Sequence, residues 1–293
     1  MMTRLDKMNF FKPLIGRSAW RQQALRFFAF CVMGFFYTSA ISQTNSSINM
    51  PLSPSLLQAF APTGKLRVGI NLGNPVLASQ DAGSTLPKGV SVDIANAIGK
   101  QAGVTLDFQL FNSAGATVEA MKNGRLDLIF VAIDPVRGAD ISYTPPYIQI
   151  EGAYLVKSNS PFQKNDEVDQ VGNEIVVGKG SAYDLFLTRE IKKASLIRVA
   201  SSPIVVEEFM SGKGNIAAGV KQQLEVDAKR YTNVRLLPGR FMVINQAIGT
   251  PKERANSAEI AGYLSAIITN LKSSGFIAEA MKRHQIEGAR VAE

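Results

Sequence analysis

The chain has 293 residues, enough for two domains or one large one with a real core, and its 46% hydrophobic and 19% charged residues are an ordinary globular mixture rather than a disordered one. The net charge of +8 suggests a nucleic-acid partner until it is located: Arg4, Lys7, Lys12, Arg17, Arg21 and Arg26 against Asp6 place +5 in residues 1–40, leaving only +3 for residues 41–293, so no nucleic acid is expected. One Cys (Cys31) and one His (His284) make a zinc or iron–sulfur cluster untenable, and no cofactor or metal is expected. A Ser-His-Asp or Cys-His catalytic site would have to use His284, which lies between Met281-Lys282-Arg283 and Gln285 and reads as an exposed helix histidine.

In chain order, the first feature is an apolar run over 27–41 behind the basic segment. It is shorter than the ~20 residues of a membrane span, and small residues around Ala40 offer a cleavage point. This reads as a secretory signal peptide over 1–40, with an uncleaved anchor helix as the alternative. Cleavage would leave a mature chain without cysteine, which suits an oxidising compartment. Residues 41–63, rich in Ser, Asn and Pro, read as a flexible leader.

From Lys65 onward, strand and helix patterns alternate. A strand is predicted at Leu66–Ile70, then a helix capped by Ser91 and ending near Gly103. A strand over 105–110 follows, then a helix opened by Ser113 and stopped at Gly124, then an apolar strand over 126–132 of the kind covered on both faces. The order repeats: a strand at 174–178, a helix from Gly180-Ser181, a strand at 196–199, a helix opened by Pro203 and running to Met210, a short apolar run at 216–218, a helix over 221–229 and a strand at 234–236. After Gly239 come an apolar run at 241–244, a helix with the stripe Ile260, Tyr263, Leu264, Ile267, Ile268 and Leu271, and a last helix beyond Gly275. Two successive β-α-β-α-β units imply two α/β lobes with mostly parallel sheets, flanked by helices, and a ligand cleft between them.

Four segments carry a more specific signal. They are Gly89-Val90-Ser91-Val92-Asp93-Ile94-Ala95; Gly124-Arg125-Leu126-Asp127-Leu128-Ile129 followed by Arg137; Tyr143-Thr144-Pro145-Pro146-Tyr147; and Val177-Gly178-Lys179-Gly180-Ser181. In order and spacing they resemble the bacterial extracellular solute-binding protein family 3, the periplasmic receptors of amino-acid ABC importers, over about Lys65 to Glu287. The resemblance implies a two-lobed periplasmic-binding-protein fold with two hinge crossings, near Tyr154–Lys157 and Arg240–Asn245. It divides the chain into a first lobe of 64–154 plus 245–293 and a second lobe of 155–244.

The resemblance also implies site residues. Arg137 would pair with a ligand carboxylate through its planar fork. Ser181, with Ala182 and Tyr183, would offer helix-opening amides to the same anion, or Ser181 would simply cap the helix. Asp134 would hold Arg137, meet a ligand amine, or form a local turn salt bridge. Asn74, with Asn71, would hydrogen-bond the ligand or only make the Asn74-Pro75 turn. Ala132 stands where the family often has a hydroxyl, Ser91 where it has an acid, Asn215 where it has an Asp, and Val220 where an acid receives an α-ammonium. The implied ligand is therefore a small carboxylate, an amino acid or related organic acid, in which an α-amine is not required. The implied partner is the membrane permease of an ABC importer, served by a monomer through hinge closure.

Three other readings remain open. One is a periplasmic dehydratase on the same fold, using Glu207, Glu208 or Asp184 as its acid or base. Another is an accessory binding protein of a periplasmic quinoprotein dehydrogenase. The third is a sensor module held by an uncleaved anchor.

Overall fold

The computed structural model describes residues 52–293; the signal-peptide reading of 1–40 lies outside them. In chain order the elements are α1 (Pro54–Phe60), β1 (Lys65–Asn71), β2 (Ser79–Gln80), β3 (Pro87–Lys88), α2 (Val90–Ala102), β4 (Thr105–Phe111), α3 (Ala114–Lys122), β5 (Leu128–Ala132), β6 (Ile141–Tyr143) and β7 (Ile148–Lys157). They continue with β8 (Glu174–Gly178), α4 (Ala182–Glu190), β9 (Ser195–Val199), α5 (Val205–Met210), β10 (Ile216–Val220), α6 (Lys221–Ala228), β11 (Val234–Leu236), β12 (Met242–Pro251), α7 (Ser257–Ser273), α8 (Phe276–Arg283) and β13 (Arg290–Val291).

The main sheet runs β4-β1-β5-β12-β7-β10-β8-β9. At one end β1 lies parallel to β4 and to β5. At the other, β8 lies parallel to β9 and to β10. Two long antiparallel strands join these halves. Met242–Gln246 of β12 pairs with Gly152–Ile148 of β7, and then Gln246–Gly249 pairs with Ala132–Ile129 of β5. Beyond Gly152, β7 pairs with β10 and then with β11. Each half has its own core: Leu66, Val68, Ile94, Ile98, Leu264 and Ile268 in the first, Val176, Val177, Phe209, Ile216 and Leu187 in the second, all essentially sealed from solvent. This is the two-lobed α/β fold with two strand crossings. The predicted apolar stripe of α7 is buried at all six positions.

Three local expectations are corrected. The leader does not extend as loose chain to residue 63: Ser53 caps α1 through its Oγ, 3.2 Å from Leu56 N, and Phe60 is buried edge-on against Tyr263. An aromatic side chain with a core to enter overrides the polar composition around it. Helix α2 is capped by Gly89, not Ser91. Gly89 has φ +127 and a Cβ there would sit 2.3 Å from the Leu77 carbonyl oxygen, so only glycine fits. Ser91, the second residue of the helix, is buried, with its Oγ 3.0 Å from the Tyr147 hydroxyl. The apolar run at 241–244 is the opening of a ten-residue strand, and its antiparallel mate β7 was not foreseen.

Candidate functional site

The site lies where the carboxyl ends of β1 and β5 meet the turn between β8 and α4. After β5 the chain turns tightly. Asp134 Oδ1 accepts from Val136 N at 2.9 Å, Gly138 N donates to Asp134 O at 2.9 Å, and a short 3₁₀ turn at Arg137–Ala139 aims the arginine back under the strand. Arg137 is 4% exposed. Its Nη1 donates to Ala132 O at 3.0 Å and its Nη2 to Gly180 O at 2.7 Å, across to the second lobe. Burial pulls the pKa of the guanidinium below its ordinary value, against the opposing fields of Tyr143, Asp134 and Asp184.

Two buried acids stand near this cation, and each already has another arginine. Asp134 Oδ2 is 2.9 Å from Arg189 Nη2 on α4, which ties the first lobe to the second. Asp184 accepts from Arg198 Nε at 2.9 Å through Oδ1 and from Gly180 N at 2.8 Å through Oδ2. Among the described residues Arg137 forms no ion pair with a carboxylate. It is a buried charge held only by carbonyl groups, an arrangement that favours an incoming anion.

The facing wall is the start of α4. Ser181 caps the helix, its Oγ accepting from Asp184 N at 3.0 Å while its own amide donates to Gly178 O at 3.0 Å. The amides of Ala182 and Tyr183 are the first two of the helix, which leaves them without carbonyls one turn back. Tyr183 is buried; its hydroxyl accepts from Gly178 N at 3.3 Å, and burial raises its pKa. Gly180 has φ +69, and a Cβ there would lie 3.1 Å from Gly115 Cα, so the two lobes touch backbone to backbone at this point.

A cavity of about 30 Å³ sits between these walls. Six of the seven expected residues line it: Asn74, Ala132, Arg137, Ser181, Ala182 and Tyr183. Asp134, expected at the ligand, does not; its oxygens serve the turn and Arg189. Asn74 makes the turn weighed for it and also lines the cavity. Leu77 N donates to its carbonyl at 3.0 Å, and its side-chain Oδ1 is buried without a hydrogen-bond donor. Asn71, also on the cavity, spends its Oδ1 on Gly73 N at 2.9 Å. Val220 lines the cavity as expected of its position.

Gln246 and Ser202 also line the cavity and went unnoticed in the sequence. Gln246 lies at the residue where β12 exchanges β7 for β5, a feature of pairing that no local pattern announces. No Asp or Glu is among the lining residues. Glu207 and Glu208 lie on α5, with Glu208 paired to Lys213, and neither reaches the cavity. His284 ends α8 and is not an exposed histidine; its ring is about one-fifth exposed and Nε2 lies 2.9 Å from Asp93 Oδ2. Larger hollows of about 440 Å³ beside Gln223 and Gln285, and about 550 Å³ beside Met281 and Ile286, lie elsewhere and hold no arginine like Arg137. Among the described residues no three His, Cys, Asp or Glu side chains converge as metal ligands, and no helix is long and apolar enough to cross a membrane.

Comparison with known proteins bears on the fold and the family. The chain is 26% identical over 163 residues to the amino-acid-binding protein AabA of Dichelobacter nodosus, a match that takes in 54% of this chain and 62% of that protein, so it spans less than two thirds of that relative's length. The fold matches the solute receptor for L-cysteine of Neisseria gonorrhoeae with a TM-score of 0.68, at 21% identity over 79% of this chain and 94% of the receptor. It also matches an ancestral amino acid-binding protein that is a precursor of cyclohexadienyl dehydratase, with a TM-score of 0.66, at 18% identity over 78% of this chain and 98% of that one. The sequence pattern of bacterial extracellular solute-binding proteins, family 3, matches residues 66–286, and the chain belongs to that family.

Proposed function

We propose that this protein is a periplasmic receptor that closes its two lobes on a small carboxylate-bearing solute, an amino acid or related organic acid, and presents it to the permease of an ABC importer. The observation that carries this reading is Arg137: a buried guanidinium, without a carboxylate of its own, lining the cavity where the two lobes meet. A ligand carboxylate there would supply the missing counter-charge, in charge-assisted hydrogen bonds of about 1.5–3 kcal/mol each. The amides of Ala182 and Tyr183 would face the same anion from the second lobe.

Closure follows from differential contact. The open form offers the anion one wall and the closed form offers two, so ligand shifts the population toward closure. The lobes we assign are 64–154 plus 245–293 and 155–244, with bending at the partner exchanges near Gly152 on β7 and Gln246 on β12. AabA is by its name an amino-acid-binding protein, which supports this solute class. Residues 1–40 serve in this reading as a cleaved signal peptide. A binding role is favoured over a dehydratase because Glu207, Glu208 and Asp184 do not line the cavity.

The test is a thermal-shift screen of the protein and Arg137→Met against amino acids, keto acids, hydroxy acids, dicarboxylates and aromatic acids. A micromolar ligand at millimolar dose stabilises by about 4 kcal/mol, an easily read shift. A carboxylate that stabilises the wild type and not Arg137→Met is the expected result. Silence across the panel, or a hit indifferent to Arg137, would reject the reading.

A further inference from the structure

We propose that the solute is a short 2-hydroxy acid rather than an α-amino acid. This rests on the reading of the cavity as a carboxylate receptor and concerns what else the ligand carries.

Charge balance comes first. Arg137 is the only charged side chain lining the cavity, and it is buried. A monoanionic hydroxy acid would neutralise it. A zwitterionic amino acid would also place an ammonium there, and the lining holds no carboxylate to receive it. The nearby acids are already taken, Asp134 by Arg189, Asp184 by Arg198, and Asp227, in an adjoining hollow that shares Asn74, Tyr183 and Val220 with the cavity, by Arg230. The rest of the lining adds no negative charge: Ala132, Ala182, Val220 and Ile244 are apolar, and Asn71, Ser202 and Gln246 are neutral.

The second observation selects among uncharged groups. Asn74 is 9% exposed, lines the cavity, and its Oδ1 has no donor. A buried acceptor without a donor is destabilising, and a ligand that brings one removes the penalty. A hydroxyl next to the carboxylate donates; a keto oxygen or a methyl group at that carbon does not. The cavity's small volume, about 30 Å³, has room for only a few water-sized groups as it stands, which favours the shortest acids over long-chain or aromatic ones.

The experiment is calorimetric titration with four acids of nearly one shape: lactate, alanine, pyruvate and propionate. Glycolate is added as a shorter probe. Lactate or glycolate is expected to bind at least tenfold tighter than pyruvate or propionate, and at least a hundredfold tighter than alanine. Asn74→Ala should bring lactate to the level of propionate and leave propionate unchanged. Val220→Asp, which adds the missing acid, should gain alanine and lose lactate. Alanine binding as tightly as lactate overturns the proposal, as does lactate binding no better than propionate. If a longer amino acid binds through Arg137 and none of these short acids does, the carboxylate reading stands and the hydroxy-acid inference falls. If no carboxylate binds at all, both fall.

Discussion

Arg137 Nη2, on the loop that follows β5, lies 2.7 Å from the carbonyl oxygen of Gly180, on the turn that opens α4. One guanidinium therefore links the two assigned lobes at the candidate cavity. Replacing it with methionine should abolish carboxylate binding, a loss of a hundredfold or more, since two charge-assisted bonds go together. The ligand-free melting temperature should change by only a few degrees. Removing a desolvated cation and stranding two carbonyl acceptors act in opposite directions, each by about 1–3 kcal/mol. Arg137→Lys should not rescue binding, because a single ammonium cannot hold both carbonyls and a carboxylate.

Asp134 and Arg189 form an ion pair between the two assigned lobes. Arg189→Leu leaves the buried Asp134 carboxylate without its cation, which should weaken ligand binding about tenfold and lower the melting temperature. The double variant Asp134→Asn, Arg189→Leu should recover part of both. A double-mutant cycle should return a coupling of about 0.5–3 kcal/mol; additive effects would mean that the pair does not act as one.

Gly180 is constrained twice. Its φ of +69 disfavours any side chain, and a Cβ would meet Gly115 Cα at 3.1 Å. Gly180→Ala should therefore resist closure. Ligand affinity is expected to fall about tenfold, while stability falls by only about 1 kcal/mol, the ordinary cost of alanine in that backbone region. Equilibrium binding and denaturant titration separate the two.

Asp127 belongs to the Gly124–Ile129 motif but serves the scaffold. It is fully buried, accepts from Arg67 N at 2.9 Å, and pairs with Arg67 Nη2 at 2.7 Å and Arg254 Nη1 at 2.8 Å. Breaking such an ion triad by Asp127→Leu should destabilise by about 3–5 kcal/mol, a drop of roughly 6–20 °C at this chain length. Binding by the fraction that remains folded should be unchanged.

Stability should also fall at alkaline pH. Burial raises the phenol pKa of Tyr143 to about 12 and pushes those of Tyr147, Tyr154 and Tyr183 upward as well. In the unfolded chain these groups ionise near pH 10. Their contribution is therefore complete below pH 10 and is lost as pH rises through 10 toward 12. Melting temperature against pH, read beside tyrosinate absorbance, should show the loss of structure and the ionisation together.

The lobes and most of their elements were legible because each rests on a local signal. Ser113 and Ser181 read as caps and are caps, and the α7 stripe declared its buried face. Arg137 was found through a family motif, and the structure buries it. What escaped depends on distant pairing. Gly89 displaces Ser91 as the cap because Leu77 passes within reach. The strands β7 and β12 draw their partners from both lobes. For Asp134 the sequence left a turn, a hold on Arg137 and a ligand contact open, because nothing nearby in sequence announces Arg189. The unpartnered oxygen of Asn74 was equally out of view, since satisfaction of a polar atom is a property of its surroundings.

The most direct measurement compares a carboxylic acid that binds with its own neutral primary amide, by calorimetric titration of the protein and of Arg137→Met. The two ligands share shape and differ in charge. The account predicts binding of the acid by the wild type alone, and at least a hundredfold loss both for the amide and for the variant. An amide that binds as tightly as the acid, or an acid indifferent to Arg137, would contradict it.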